Sequence, residues 1–205
     1  MNNNTDIYKY DFYKKIKENA NIEIFDKDFS STFLCDNLKL NILNFPKKYY
    51  VDKENVEVFD KFIKKIDNNY NDNDNFNIML VHSPNSIIQK NKIINYSKTI
   101  NNMNLILTGH NHGGLVPTFI QDIFNNHCGI VGPYSKIVQR NAYGFWTRDN
   151  ISLLVSNGVT KFSESAPLKG FHKLFNYILP PEVDLIYLKN GNHNLKLTGR
   201  KTYKF

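Results

Sequence analysis

The apolar residues of this chain fall into short clusters separated by polar, asparagine-rich stretches. Ile78-Met79-Leu80-Val81 and Leu105-Ile106-Leu107-Thr108 are near-continuous apolar runs, the pattern of strands buried on both faces of a parallel sheet. Ile151-Ser152-Leu153-Leu154-Val155-Ser156 predicts a third such strand, stopped by Asn157-Gly158. Thr32-Phe33-Leu34-Cys35 and Leu38-Lys39-Leu40-Asn41-Ile42-Leu43 predict a hairpin around Asp36-Asn37, where an Asx-type turn suits. Ile22-Glu23-Ile24-Phe25 predicts a further short strand.

Two segments carry helical spacing. Residues 6–19 are polar with a stripe at Tyr8, Phe12 and Ile16. Residues 53–66, capped by Asp52, place Val56, Phe59, Ile63 and Ile66 on one face. Ser83-Pro84 has the chemistry of a helix start, Ser as cap and Pro in the first turn, and predicts a helix to about residue 100. The resulting strand–helix–strand order predicts an α/β domain with two parallel strands ending on one side. Residues 115–150, with Pro117, Gly129, Gly132, Pro133 and Gly144, predict a long loop that shapes access to that side. Residues 159–181 predict irregular chain. Val183-Asp184-Leu185-Ile186-Tyr187-Leu188 and residues 193–197 predict a closing hairpin across Asn190-Gly191. No internal repeat or linker divides residues 1–205, which predicts a single domain.

Composition adds constraints. The 205 residues, 41% hydrophobic, suffice for one packed core. Asparagine is the most frequent residue but is interleaved with Ile, Leu and Phe, which predicts a folded protein with polar loops. The net charge of +7 favours anionic partners such as phosphate esters. No long Lys/Arg run occurs, so nucleic acid is not a predicted partner. Cys35 and Cys128 lack ligand-like spacing and predict free thiols in apolar settings, as in a reducing compartment. No apolar stretch is long enough to span a bilayer, and the first residues lack a signal-peptide core.

The chemistry gathers at the ends of the two central strands. His82 follows the first, and Gly109-His110-Asn111-His112 follows the second. Both strand ends are predicted at the edge where open α/β sheets bind ligands. Imidazole suits Zn, Mn, Fe or Co. His110 and His112 share a face if extended, or splay toward two neighbouring ions on a tight loop. Gly113 and Gly114 permit that tight turn. The bland alternative is a pair of surface histidines. His127 and His172 lack strand-end context and read as surface or loop residues.

Four segments together resemble the calcineurin-like metallophosphoesterases, in the bacterial branch whose last motif reads Gly-His-x-His-Gly-Gly. They are Leu80-Val81-His82-Ser83-Pro84, Thr108-Gly109-His110-Asn111-His112-Gly113-Gly114-Leu115, Leu153-Leu154-Val155-Ser156-Asn157-Gly158, and Pro181-Glu182-Val183-Asp184-Leu185-Ile186-Tyr187-Leu188. The resemblance extends over roughly residues 6–190. It implies an α/β/β/α sandwich with two divalent ions (Mn, Fe or Zn) that activate water for in-line attack on a phosphate mono- or diester. By resemblance His82 and His110 hold one ion and His112 the other.

The same resemblance marks a departure. The family also uses Asp-x-His, Gly-Asp-x-x-Asp and Gly-Asn-His-Glu/Asp motifs, and residues 1–81 hold none of them. The expectation is therefore a partial sandwich lacking its N-terminal strands, a truncated or split phosphoesterase inactive alone, that binds at most one ion, weakly, through His82 and His110. Gly191-Asn192-His193-Asn194 nearly matches the last motif but lies at a predicted hairpin turn. Asp122, Asp149 and Glu164 have no supporting spacing. The implied partners are a phosphate-ester substrate and an N-terminal half. Membrane association would come through that half, since relatives of this branch often carry a membrane or export segment there; the compartment itself stays open between cytoplasmic and membrane-associated. Two other readings stay open: a binding or interaction protein that keeps the fold remnant without turnover, and a basic anion-binding module. The substrate has no readable code.

Overall fold

The computed structural model describes residues 18, 25, 27–35, 37–44, 56–70, 75–89, 92–93, 97–117, 120–121, 127–132, 136–139, 141–148, 151–158, 172–179 and 181–188. In chain order, strands β1 (Phe29–Cys35) and β2 (Leu38–Leu43) are followed by helix α1 (Val56–Asn69) and strand β3 (Phe76–Val81). A single 3₁₀ turn, Pro84–Ser86, leads to the short strands β4 (Ile88–Gln89) and β5 (Lys92–Ile93), then helix α2 (Lys98–Asn101) and strand β6 (Leu105–Thr108). Strands β7 (Gly129–Gly132), β8 (Lys136–Gln139), β9 (Gly144–Arg148) and β10 (Ile151–Val155) and helix α3 (His172–Ile178) complete the described chain.

Six strands form one mixed sheet in the order β1-β2-β3-β6-β10-β9. The four central strands β2, β3, β6 and β10 are parallel. The edges β1 and β9 are antiparallel to their neighbours. β1 and β2 form the expected hairpin, with Phe29 opposite Leu43. The apolar runs that predicted β3, β6 and β10 are buried for the reason the pattern implies: parallel strands inside a sheet lose both faces to packing.

One face of the sheet carries the main core. Met79, Val81, Ile106, Ile151, Leu153 and Val155 pack there with Phe62, Ile63 and Ile66 of α1 and with Ile87, Ile100 and Met103 of the β3–β6 crossover. Ile63 and Ile66 belong to the predicted stripe. Asp67, near the end of α1, fastens the crossover: its carboxylate accepts from Ser97 Oγ (2.8 Å), Lys98 N (3.1 Å) and Thr99 N (2.9 Å) at the start of α2. Those amides have no partner within the helix, so a carboxylate there satisfies them.

The asparagines are not all loop residues. Asn41 and Asn77, 0% and 1% exposed, sit in β2 and β3. Ser31 Oγ donates to Asn41 Oδ1 (2.8 Å), and Asn41 Nδ2 donates to Asn77 Oδ1 (3.1 Å). Asn41→Ala removes one member and takes the donor from the buried Asn77 Oδ1, whose Nδ2 keeps its bond to Asn75 O, at about 1–3 kcal/mol. The expected result is a lower urea midpoint with an unchanged slope; a parent-like midpoint contradicts the ladder's role.

Several expectations are corrected. The helix predicted from Ser83 to about residue 100 is replaced by one 3₁₀ turn, the β4–β5 ladder and the four-residue α2. Ser83 does cap, accepting from Asn85 N, but the β-branched Ile87, Ile88 and Ile93 that follow favour extended chain. Residues 115–150, read as a loop, hold β7, β8 and β9; the glycines taken as loop markers bound short strands. Residues 159–181, read as irregular, include α3. Val183–Leu188 forms no ladder with any described residue, and Val183, Leu185 and Tyr187 are exposed. Cys35 is exposed at the end of edge strand β1, not in an apolar setting; both cysteines are free. The helix at 6–19 apart from Glu18, the strand at 22–25 apart from Phe25, and the arm at 193–197 lie outside the described residues; Phe25 is in no strand. No described helix is long and apolar enough to cross a membrane.

Candidate metal centre

Register alone brings the first two histidines together. Val81 of β3 lies opposite Thr108 of β6, so the chain leaves both strands at the same level. Gly109 N–H donates to His82 O (3.3 Å), and Ser156 N–H donates to Thr108 O (2.8 Å), which extends the order just past β3, β6 and β10. The His82 and His110 rings lie with centroids 4.4 Å apart and planes tilted by 59°. They border a cleft of about 420 Å³ whose apolar wall is Ile42, Leu43, Leu80, Val81 and Leu107, with Asn44, Thr108, Gly109 and Ser156 completing it.

The loop after β6 has a demanding backbone. His110 (φ 70°), His112 (φ 48°), Gly113 (φ 65°), Gly114 (φ 61°) and Leu115 (φ 56°) are all left-handed. Three of these five carry a Cβ, and each such residue costs of order 1–2 kcal/mol. The surroundings hold the loop to this shape. Asn111, 1% exposed, keeps φ −82° and donates through Nδ2 to Asn141 O (3.0 Å). Gly114 N–H donates to Asn111 O (2.8 Å). Gly114 presses against the Gly129 backbone and Ala142. Gly113 abuts Asn157 and Gln121; Gln121 in turn donates to Val116 O (2.9 Å) and accepts at its backbone from Tyr143 Oη (3.2 Å).

All three imidazoles are held neutral at pH 7. Burial pushes His82 below the ordinary histidine range. Burial, then the neighbouring His82 and His112, pushes His110 down to about 4. Burial and then His82 lower His112. A neutral imidazole offers a lone pair, so His82 and His110 present two borderline-soft donors at one rim.

The donor set fits one cation better than two. His82 and His112 are both exposed and His110 is half-buried; the rings in contact at the cleft are those of His82 and His110, and His112 opens the 3₁₀ turn outside its lining. Among the described residues no three His, Cys, Asp or Glu side chains gather as a metal site. No described carboxylate bridges the histidines; Glu182, 1% exposed, accepts instead from Asn157 Nδ2 (2.7 Å). A two-ion centre needs such a bridging anion, and the described residues do not offer one.

The remaining candidates take structural places or fall outside the described chain. His127 (φ 51°) stands edge-on to Tyr143, centroids 5.8 Å apart, and packs on Gly144. His172 opens α3, away from any strand end in sequence. Asp122, Asp149, Glu164 and residues 191–194 lie outside the described residues. Sequence reasoning missed the supports: Asn141 and Gly129 under the loop, and the Asn157–Glu182 pair behind it. The one available signal was a Glu placed directly after Pro180-Pro181, a position that proves fully buried.

No family model, curated protein or solved structure matches the chain.

Proposed function

We propose that this rim is the histidine half of a metallophosphoesterase site, one that hydrolyses phosphate mono- or diesters once complementary carboxylates are supplied. The carrying observation is the pair His82 and His110, ring centroids 4.4 Å apart at the ends of adjacent parallel strands; burial lowers the pKa of both, which favours the lone-pair form. Together His82 and His110 would hold one divalent ion (Mn, Fe or Zn), each through a ring nitrogen, and His112 would serve a second ion in a complete site. Bound there, the ion supplies Lewis-acid polarisation of a phosphoryl oxygen and lowers the pKa of water. The chain's own contribution is to fix ring positions by the β3–β6 register and to draw phosphate esters by its net charge of +7.

A second reading, a cation-binding protein without turnover, is favoured by the absence of a gathered carboxylate among the described residues. Two measurements separate the possibilities. Titration with Co²⁺, read by its visible spectrum, is expected to show one weakly bound ion per chain, abolished in His110→Ala. With Mn²⁺ and an aryl phosphate, the chain alone is expected to show no turnover. Co-expression with a polypeptide carrying the Asp-x-His, Gly-Asp-x-x-Asp and Gly-Asn-His motifs is expected to restore it. Failure to bind Co²⁺ overturns the metal centre. Chelator-sensitive turnover by the single chain, lost in His110→Ala, overturns the incomplete site. Binding with no rescue selects the second reading.

A further inference from the structure

We infer that Glu182 and Asn157 are positioning residues that set the histidine loop from behind. The role rests on the metal-centre reading above, but the geometry stands by itself. Glu182 is 1% exposed, and its Oε2 accepts from Asn157 Nδ2 at 2.7 Å. Its backbone N–H donates to Gly158 O at 2.8 Å, so the carboxylate is pinned to the segment leaving β10. Because a carboxylate accepts, it fixes which way the Asn157 amide points: Nδ2 toward Glu182 and Oδ1 away from it. On that other side lies Gly113, whose missing Cβ would stand 2.7 Å from Asn157 Oδ1. Asn157 Oδ1 is buried and finds no hydrogen-bond donor among the described residues. Its place is explained by the loop it braces: it fills the space beside Gly113 and holds the left-handed turn that carries His112 at one end.

A buried carboxylate is costly to desolvate, and its bond to the Asn157 amide offsets part of that cost. An apolar side chain at 182 would pack with less penalty but would leave Asn157 free to rotate and the turn unbraced. Glu182 therefore serves geometry. Outer residues that orient metal ligands typically change affinity 10- to 100-fold when removed.

The test uses the full chain and two independent readouts. Imidazole ¹⁵N–¹H correlation spectra, recorded without metal, report the loop directly. Co²⁺ titration reports ligation. In Asn157→Ala and Glu182→Ala the His110 and His112 ring signals are expected to move, and Co²⁺ affinity to fall about 10-fold or more. Glu182→Gln keeps an acceptor oxygen and is expected to stay close to the parent in both. Far-UV circular dichroism checks folding; Asn157, half-buried, tolerates truncation if Glu182→Ala does not. Unmoved ring signals in Asn157→Ala overturn the brace even where Co²⁺ binds the parent normally. If the parent binds no Co²⁺, the metal-centre reading fails and the ring signals alone decide the brace.

Discussion

Gly114→Ala is expected to dislodge the histidine loop and to cost the chain about 2–5 kcal/mol. Two effects add. The residue sits at φ 61°, where an L side chain costs of order 1–2 kcal/mol. Its new methyl would also overlap the Gly129 backbone and lie 2.8 Å from Ala142 Cβ, an overpacking worth about 1–3 kcal/mol. Neither neighbour is a flexible side chain end, so relief requires the backbone itself to move. Gly109→Ala is the control: the nearest atom to its Cβ is Ser156 O at 3.8 Å, an ordinary contact. Urea unfolding of both variants, with ring spectra of His110 and His112, checks the contrast. Equal midpoints for the two alanines would contradict the packing described for this loop.

Acid is expected to weaken the fold in a defined window. His110 titrates at about 4 in the folded chain, and an unfolded histidine near 6.5. Between those values the unfolded chain carries a proton that the folded chain refuses, so unfolding takes up protons and stability rises with pH. The contribution is intact above about 6.5, falls as pH drops, and is fully lost below about 4. His82 and His112, lowered in the same direction, steepen the loss. His110→Asn removes the largest of these groups while keeping a side chain that tolerates φ 70°. Its stability is therefore expected to drop less than the parent's between pH 7.5 and pH 5. The same shift lets His110 offer its lone pair down to about pH 5. A parent whose urea midpoint is flat across that range would refute the assignment.

What the sequence made legible follows from where information is local. The runs at 78–81, 105–108 and 151–155 declared themselves because a doubly buried strand must be apolar at successive positions. Two strand ends followed by histidine were enough to put His82 and His110 on one rim. The crossover misled because Ser83-Pro84 carries true capping chemistry, satisfied here by a single turn. Beyond it the Ile residues choose between helix and strand by what they pack on, and Ile87 is fully buried in the core. The strands within 115–150 were masked by glycines needed for close approach: Gly129 has no room for a side chain because Gly114 lies against it. Asn41, Asn77 and Glu182 read as surface residues by type. Only their partners, Ser31, Asn77 and Asn157, reveal why they are inside.

The parallel seam between β3 and β6 has one more implication. His82 and His110 are strangers along the polypeptide and become neighbours only when Val81 and Thr108 fall into register. Zippering the sheet's midline and assembling the two rings are thus a single molecular event. Whatever grips both imidazoles acts as a rivet across that seam, and its binding energy is added to the native state by mass action. Melting temperature then becomes a ligand detector that needs no knowledge of the substrate.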